Sequence, residues 1–291
     1  MTGASGNVGA AVARELLAHG YAVRGLDQKP LPPDLHSKVE MVYANLTDHL
    51  AMTRAADGCD AVAHLAAIPH PQVPNPQDIL SVNVVGTGNL LDAAERLGIR
   101  RFVIASTCCA FGFYFALHHF DPDYLPLDEK HPAKPQDLYA LSKTMMEEAC
   151  AAYTRRCGMT TVALRLTTVT NFAQGVKPWL KHHLTNAHDK RRDYWTYVMI
   201  ADAARAFRLA LENAPEGTSK NLIVAARDSL TALDIRDLAR QHLPEIAGGV
   251  AHLAPTGSLY DTQLAETHIG FVARESWRGV PELADVAGLP V

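Results

Sequence analysis

Long apolar runs are missing from this sequence of 291 residues. None approaches the roughly 20 residues that a membrane-spanning helix needs, so no helical span and no membrane partner are expected. The first residues hold no basic segment followed by an apolar stretch, so no signal peptide is read there. Cationic excess is missing too: 27 Lys and Arg stand against 31 Asp and Glu, a formal net charge of -4. A global attraction to nucleic acid is therefore not expected. Cysteine is sparse. Cys59, Cys108, Cys109, Cys150 and Cys157 form an odd set without metal-ligand spacing, so no metal site is expected. They read as reduced thiols of a cytoplasmic protein. Repeats and low-complexity tracts are also absent. What remains is a hydrophobic content of 48%, enough for a sizeable core, at a length that suits one large α/β domain with a small second lobe.

A further absence stands at the start. The chain opens MTGASGNVGA, with Gly3, Gly6 and Gly9 at three-residue spacing. A glycine turn of this kind brings backbone close to a pyrophosphate and aims a helix N-terminus at it. It normally follows a buried β-strand, yet only Met1 and Thr2 precede it. The first strand is thus expected to be missing, with unpaired backbone groups in its slot, each costing about 1–3 kcal/mol. The expectation is that the natural polypeptide starts upstream.

After the turn, strands alternate with helices. VGAAVARELLAHG reads as a helix stopped by Gly20, and YAVRGLD (21–27) as a strand. Further strands are expected at 39–45, 60–67, 101–107, 160–166 and 221–226. Helices are expected at 46–58, about 78–97, 137–156, 200–213 and near 231–242. This alternation predicts an α/β, Rossmann-type doubly wound parallel sheet, with ligands at the carboxyl ends of its strands. The expected division is an NAD-binding domain over 1–169 and a small substrate-binding lobe over 170–291. A strand and helices of that lobe (about 197–243) return to the first domain.

Two local patterns carry chemistry. Asp27 ends the second strand, 18 residues after Gly9, where a carboxylate can accept from both adenosine ribose hydroxyls and repel a 2′-phosphate. That favours NAD over NADP, with Lys29 nearby leaving NADP open. In QDLYALSKTMMEE, Tyr139 and Lys143 lie four apart, on one helix face. A phenol serving as base near neutrality must drop about 3 units from its usual ~10. A neighbouring ammonium and a positive nicotinamide ring favour the phenolate.

With these and other motifs in order, the chain resembles the extended short-chain dehydrogenase/reductase group, the NAD-dependent epimerase/dehydratase family, from Thr2 to about Arg278. The motifs are Thr2-Gly3-x-x-Gly6-x-x-Gly9, Asp27, Asn45-Leu46 where the family usually has Asp-Leu, and His64-Leu65-Ala66-Ala67. Asn83 with Gly86-Thr87, Ser106-Thr107 with Phe111-Gly112, Tyr139 with Lys143, LRLTTV (164–169) and YVMIADAARAF (197–207) complete the set. The resemblance implies a catalytic Thr107, Tyr139 and Lys143, with Ser106 the competitor for the hydroxyl role. It also implies NAD contacts from Gly3, Gly6, Asn7, Val8, Asp27, Asn45, Leu46, Leu65, Ala66, Ala67, Asn83, Ala105, Tyr139, Lys143 and Leu166. His64 reads as a satisfied core histidine.

Departures from the family bear on substrate. The stretch from Asn171 to Trp195 is short beside that of nucleotide-sugar members, and Thr168 and Thr170-Asn171 replace the usual Asn and Tyr-Gly-Pro. A smaller substrate is expected: a free sugar or uronate, an aldehyde, a ketone or a hydroxy acid. Lys177, Lys181, Lys190, Arg191 and Arg192 could meet an anionic group or simply face solvent. Phe113, Tyr114, Phe115, His118 and His119 are candidate substrate-side residues. The first reading is an NAD-dependent oxidoreductase on a small hydroxy or carbonyl compound. A nucleotide-sugar epimerase or dehydratase is second, although Cys108-Cys109 stand where a dehydratase has Asp-Glu. A non-catalytic NAD-binding module is third. The resemblance also implies a homodimer through the helices near 78–97 and 137–156, although packing within one chain explains the same apolar stripes.

Overall fold

The structure is a computed structural model that describes residues 1–172, 175–176, 178–186 and 192–287. In chain order its main elements begin α1 (Asn7–Ala18), β1 (Val23–Asp27), β2 (Val39–Tyr43), α2 (His49–Ala56), β3 (Ala61–His64), α3 (Gln77–Ile79) and α4 (Gly86–Arg96). There follow β4 (Arg101–Thr107), α5 (Leu138–Cys157), β5 (Thr160–Leu166), β6 (Val169–Thr170) and α6 (Pro178–Thr185). The chain continues through β7 (Val198–Met199), α7 (Ile200–Asn213), β8 (Ser219–Val224), α8 (Ile235–His242), α9 (Gln263–Ile269) and α10 (Ala284–Ala287). A π-helical turn, Leu80–Val85, joins α3 to α4, so the expected helix near 78–97 is one rod with a bulge at Asn83.

All strand pairings are parallel, in the order β2-β1 and β3-β4-β5-β8. β5 is buried at all seven positions, as a central strand covered on both faces must be. Alternate residues feed two cores. Val103, Val162 and Leu164 pack with Val12, Leu16 and Phe207 beneath α1 and α7. Phe102, Ile104 and Ala163 pack with Met52, Leu90, Leu91 and Met146 under α2, α4 and α5. Asp137 caps α5 by accepting from the Ala140 N–H at 2.9 Å, and Gly158, at φ 72°, ends it.

The missing first strand needs correcting in detail. Met1 and Thr2 occupy the upper end of the slot between β1 and β3, Thr2 bridging to both Leu26 and His64. Leu26 N–H donates to Met1 O at 2.8 Å, Gly3 N–H to Leu26 O at 2.8 Å, and Thr2 N–H to Ala63 O at 2.9 Å. Below them, no further described segment enters the slot to pair with the facing edges of β1 and β3. A small cavity there is lined by Met1, Arg24, Cys59, Ala61 and Val62, among others. The Arg24 guanidinium reaches past it to Ala55 O at 3.2 Å and Asp57 O at 2.5 Å. Pairing thus exists where the glycine turn must be held and stops below it.

Residues after 170 do not stay apart from the sheet. β6 pairs with β7, α7 packs on α1, and β8 joins β5. Over the carboxyl end of β4, Phe111, Phe113, Tyr194 and Trp195 pack with Ile235, Leu238, Val250, Leu259 and Tyr260 as a separate apolar cluster. That cluster roofs the end of the sheet where ligands of such folds bind. Among the described residues no helix is long and apolar enough to cross a membrane.

Candidate active site

A groove of about 880 Å³ runs across the carboxyl ends of the strands. Its floor is the glycine turn, and each glycine has its own reason. Gly3 sits at φ 70°, and a Cβ there would stand 2.6 Å from Ala66 N. A Cβ on Gly9 would stand 1.9 Å from Gly3 O, so α1 can follow the turn this closely only without a side chain. At Gly6 the nearest obstacle is Gly3 O at 3.4 Å, so the space there belongs to the groove rather than to packing. The Asp27 carboxylate lies in the wall, accepting from Ser5 N–H at 3.0 Å, Gln28 N–H at 2.7 Å and Lys29 N–H at 3.1 Å. Gly3, Gly6, Asn7, Val8, Asp27, Asn45, Leu46, Leu65, Ala66, Ala67, Ala105, Thr107, Tyr139, Lys143 and Leu166 all line this groove.

Asn83, expected among the cofactor contacts, is not in the lining. It is fully buried behind the wall, where its side chain accepts from Ile68 N–H at 2.7 Å and donates to Ile68 O at 3.1 Å and Ser142 Oγ at 2.9 Å. It clamps the loop after β3 to α5. His64 is a core histidine: its Nδ1 meets Thr2 Oγ1 at 2.6 Å and its Nε2 meets Thr87 Oγ1 at 3.0 Å. Burial lowers its pKa from 6.5 to about 3, so it stays neutral.

Thr107, Tyr139 and Lys143 converge where the groove ends. Thr107 closes β4, its hydroxyl accepting from Cys109 N–H at 3.1 Å to cap the short 3₁₀ turn Cys108–Phe111. Lys143 Nζ donates to Ala105 O at 2.7 Å and lies 5.8 Å from the Tyr139 ring centre. Burial lowers the ammonium from 10.5 to about 8. The groups of the chain by themselves raise the Tyr139 phenol, whereas the expected acidification also counted on a positive nicotinamide ring. Burial pushes its pKa up, Cys109 adds to that, and the neighbouring Thr107 hydroxyl pulls it partly back. Burial dominates because the ring is 7% exposed, which leaves the phenolate form poorly solvated.

Ser106, the competitor for the hydroxyl role, is already engaged: its Oγ donates to Glu147 Oε1 at 2.6 Å. The sequence reading missed Glu147. It lies one further turn along α5 and is buried, holding Arg165 through bonds of 2.9 and 2.8 Å and Asn221 at 2.9 Å. The i, i+4, i+8 spacing of Tyr139, Lys143 and Glu147 on one helical face was the available signal. Four acceptances saturate the carboxylate, tying α5 to β4, β5 and β8 behind the reactive groups.

A second pocket of about 160 Å³ adjoins the groove at Thr107 and Tyr139. Phe113, Tyr114 and Phe115 line it, with Phe115 edge-on to Tyr139 at 6.1 Å. His118 and His119 do not. His118 N–H donates to Gln136 Oε1 at 2.9 Å and His119 pairs with Asp121 at 3.1 Å, away from the lining. Of the basic stretch, Arg192 reaches the wall, while Lys181 pairs with Asp285 at 3.0 Å. Lys177, Lys190 and Arg191 lie outside the described residues. Thr167, Thr168, Asp193, Thr196 and Tyr260 complete the far wall, and only Thr168 was singled out from sequence.

The description of one protein family, NAD dependent epimerase/dehydratase, matches residues 1–226 of this chain. The chain belongs to that family. It is an enzyme of the extended short-chain dehydrogenase/reductase type, an NAD-dependent oxidoreductase or epimerase. The NAD-dependent glucose-6-phosphate dehydrogenase of Haloferax volcanii is 29% identical over 221 residues, covering 73% of this chain and 79% of that one. A uronate dehydrogenase of Pseudomonas syringae is 29% identical over 167 residues, a match that spans 57% of this chain and only 57% of the relative. Among solved structures, a short-chain dehydrogenase/reductase superfamily protein from Agrobacterium tumefaciens with bound NAD superposes with a TM-score of 0.71. It is 25% identical, with 98% of this chain and 95% of that one covered.

Proposed function

We propose that this member of the family is an NAD-dependent dehydrogenase of a small hydroxy or carbonyl compound, a free sugar or uronate being the favoured class. The observation that carries this reading is the size of the second pocket. At about 160 Å³ it falls below the roughly 300–1,000 Å³ of sites for drug-sized ligands, and it opens directly onto Tyr139 and Thr107. A nucleoside diphosphate attached to the reacting sugar exceeds that space. The names of the Haloferax and Pseudomonas relatives support the same class.

The residues present fit a dinucleotide. The cradle around Gly3 and Gly9 closes if either gains a Cβ, the N-terminus of α1 borders the groove, and the Asp27 carboxylate, accepting three backbone bonds, keeps about one acceptor site for a ribose hydroxyl. That carboxylate disfavours a 2′-phosphate, so NAD is proposed over NADP. When bound, the oxidised dinucleotide supplies a hydride acceptor and a positive ring charge. Thr107 holds the substrate oxygen by a hydrogen bond, and Tyr139 takes its proton in the oxidative direction. Lys143, fixed by Ala105 O, keeps a positive charge one turn from the phenol and faces the cofactor groove. The aromatic wall of Phe113, Tyr114 and Phe115 screens these groups from water. Pairing of two copies through α4 and α5 is proposed from the exposed Val85, Leu141 and Met145.

The test is NADH formation from a panel of aldoses, uronates, sugar phosphates and simple secondary alcohols, with UDP-glucose as the contrasting probe. Net NADH from a free sugar or uronate is expected. Conversion of UDP-glucose without net NADH would favour the epimerase reading instead.

A further inference from the structure

A charged pair lies buried behind the reactive groups, and packing alone gives no reason for it. The Glu147 carboxylate and the Arg165 guanidinium meet at 2.9 and 2.8 Å, their side chains only 5% and 6% exposed. Taking two charges out of water costs more than their attraction commonly returns, so an apolar pair of the same volume would serve the core as well. Here the cost is not fully offset, since Arg165 Nη1 is buried with no hydrogen-bond partner. The pair is nonetheless locked in place. Ser106 Oγ donates to Glu147 Oε1 at 2.6 Å, Asn221 Nδ2 donates to Oε2 at 2.9 Å, and the guanidinium lies over the Phe111 ring at 4.7 Å.

The pair sits beside Lys143. Glu147 follows it by four residues, so both side chains leave one face of α5, and Lys143 is 3% exposed. Among the described residues its Nζ has one acceptor, Ala105 O at 2.7 Å, and a neutral carbonyl does not balance a buried ammonium. The other groups around it bring no negative charge at neutral pH. His64 on β3 is neutral, and Cys109 in the 3₁₀ turn is a thiol that burial pushes up to about 11. Tyr139 on α5 is a phenol raised by burial, and Asp137 is turned to the cap of that helix. Arg165 on β5 is a cation fixed to Glu147. Glu147 is therefore the acid that opposes the fall burial imposes on Lys143, from 10.5 to about 8.

We infer that Glu147 is a positioning residue for the reaction: its buried carboxylate, one turn beyond Lys143 and locked by Ser106, Arg165 and Asn221, keeps that lysine a cation facing the cofactor groove. This rests on the reading of Lys143 as a cofactor contact and deepens it. Arg165 lets the carboxylate stay ionised in the core, and Ser106 and Asn221 fix its direction.

The test follows Lys143 itself, through the carbon-13 shift of its ε-carbon in lysine-labelled protein without cofactor, assigned with Lys143→Met. The titration midpoint should lie at about 8 in wild type. Glu147→Gln combined with Arg165→Met removes both charges and keeps an oxygen for Ser106, and should drop the midpoint by about one unit. Glu147→Asp keeps the charge but not the hydrogen-bond geometry, and should hold the midpoint close to that of wild type. NAD affinity, read by calorimetry, should follow the titration. For a one-unit drop, the double variant binds as wild type does at pH 6 and roughly tenfold more weakly at pH 9. If the double variant does not fold, Glu147→Gln alone takes its place, and its midpoint should fall further because Arg165 is then unopposed. An unmoved midpoint, or an affinity lowered by the same factor at pH 6 and pH 9, makes Glu147 structural and overturns the inference. Should wild type bind no NAD at any pH, the cofactor reading falls, and the midpoint still decides what Glu147 does.

Discussion

The groove and the pocket that meet at Tyr139 are made from different material. The groove is built from consecutive backbone: a glycine turn, the start of one helix and the ends of successive strands. Its shape is set by what is absent, namely side chains at Gly3 and Gly9. The pocket is built from residues of segments far apart in sequence, among them Thr107, Phe113 to Phe115, Tyr139, Leu166 to Thr168, Asp193 and Tyr260. A site made of local backbone leaves a fixed spacing in the sequence. One assembled from distant side chains leaves none, since each residue is meaningful only after the chain has folded.

The strongest blow to that contrast falls on the glycines. Gly9→Val places atoms where Gly3 O already stands, 1.9 Å from the Cβ position, so the turn must move. Expected are a melting temperature several degrees lower and NAD affinity reduced by at least ~100-fold, read by thermal melting and calorimetry. Gly6→Ala meets only Gly3 O at 3.4 Å and should leave the melting temperature unchanged while weakening NAD. Equal melting losses in both variants would mean that Gly6 serves packing rather than ligand approach.

Next in size is an effect of pH beneath the groove. His64 titrates near 6.5 when unfolded and near 3 in the folded protein because it is buried. Below 6.5 the unfolded chain binds a proton that the folded chain refuses, so stability falls as pH drops and stops falling below about 3. The whole loss is about 5 kcal/mol, spread over that window. Urea unfolding at pH 7 and pH 4 should show a steeper loss in wild type than in His64→Asn. The variant starts less stable because Thr2 and Thr87 lose part of their partner.

At the junction itself, Tyr139→Phe should lower kcat by about 10²–10⁴-fold and leave NAD affinity within about twofold. Unchanged turnover would remove Tyr139 from the chemistry.

These cases show what could be read beforehand. β4, β5 and α7 occupy the residues expected for them, because a buried apolar run between turn residues has few alternatives. Ser106 stood beside Thr107 as the competitor for the hydroxyl role; the structure separates them physically, since Ser106 is spent on Glu147. Asn83 was named among the NAD contacts and also read as a structural or water-holding residue; it lies behind the groove, because a motif marks a position and not the direction of a side chain. The phenol of Tyr139 was expected to be acidified by Lys143 together with a bound nicotinamide ring; spacing along a helix gives proximity and not burial, and burial raises the phenol in the chain by itself.

The smallest predicted effects sharpen the comparison most, because they test whether the two regions are separable. Asp27 touches only the groove, so Asp27→Asn should weaken NAD about tenfold, improve NADP, and leave KM for the second substrate alone. Tyr114 is 38% exposed and touches only the pocket, packed edge-on against Phe115 at 4.7 Å. Tyr114→Ala should raise KM for a small substrate about threefold, admit bulkier ones, and leave NAD untouched. The threefold figure is small because a half-exposed ring forfeits little contact when removed. If Tyr114→Ala shifts NAD affinity as much as substrate KM, the pocket wall must be positioning the groove through Phe115 and Tyr139. Substrate range and cofactor choice could then not be altered independently in this enzyme.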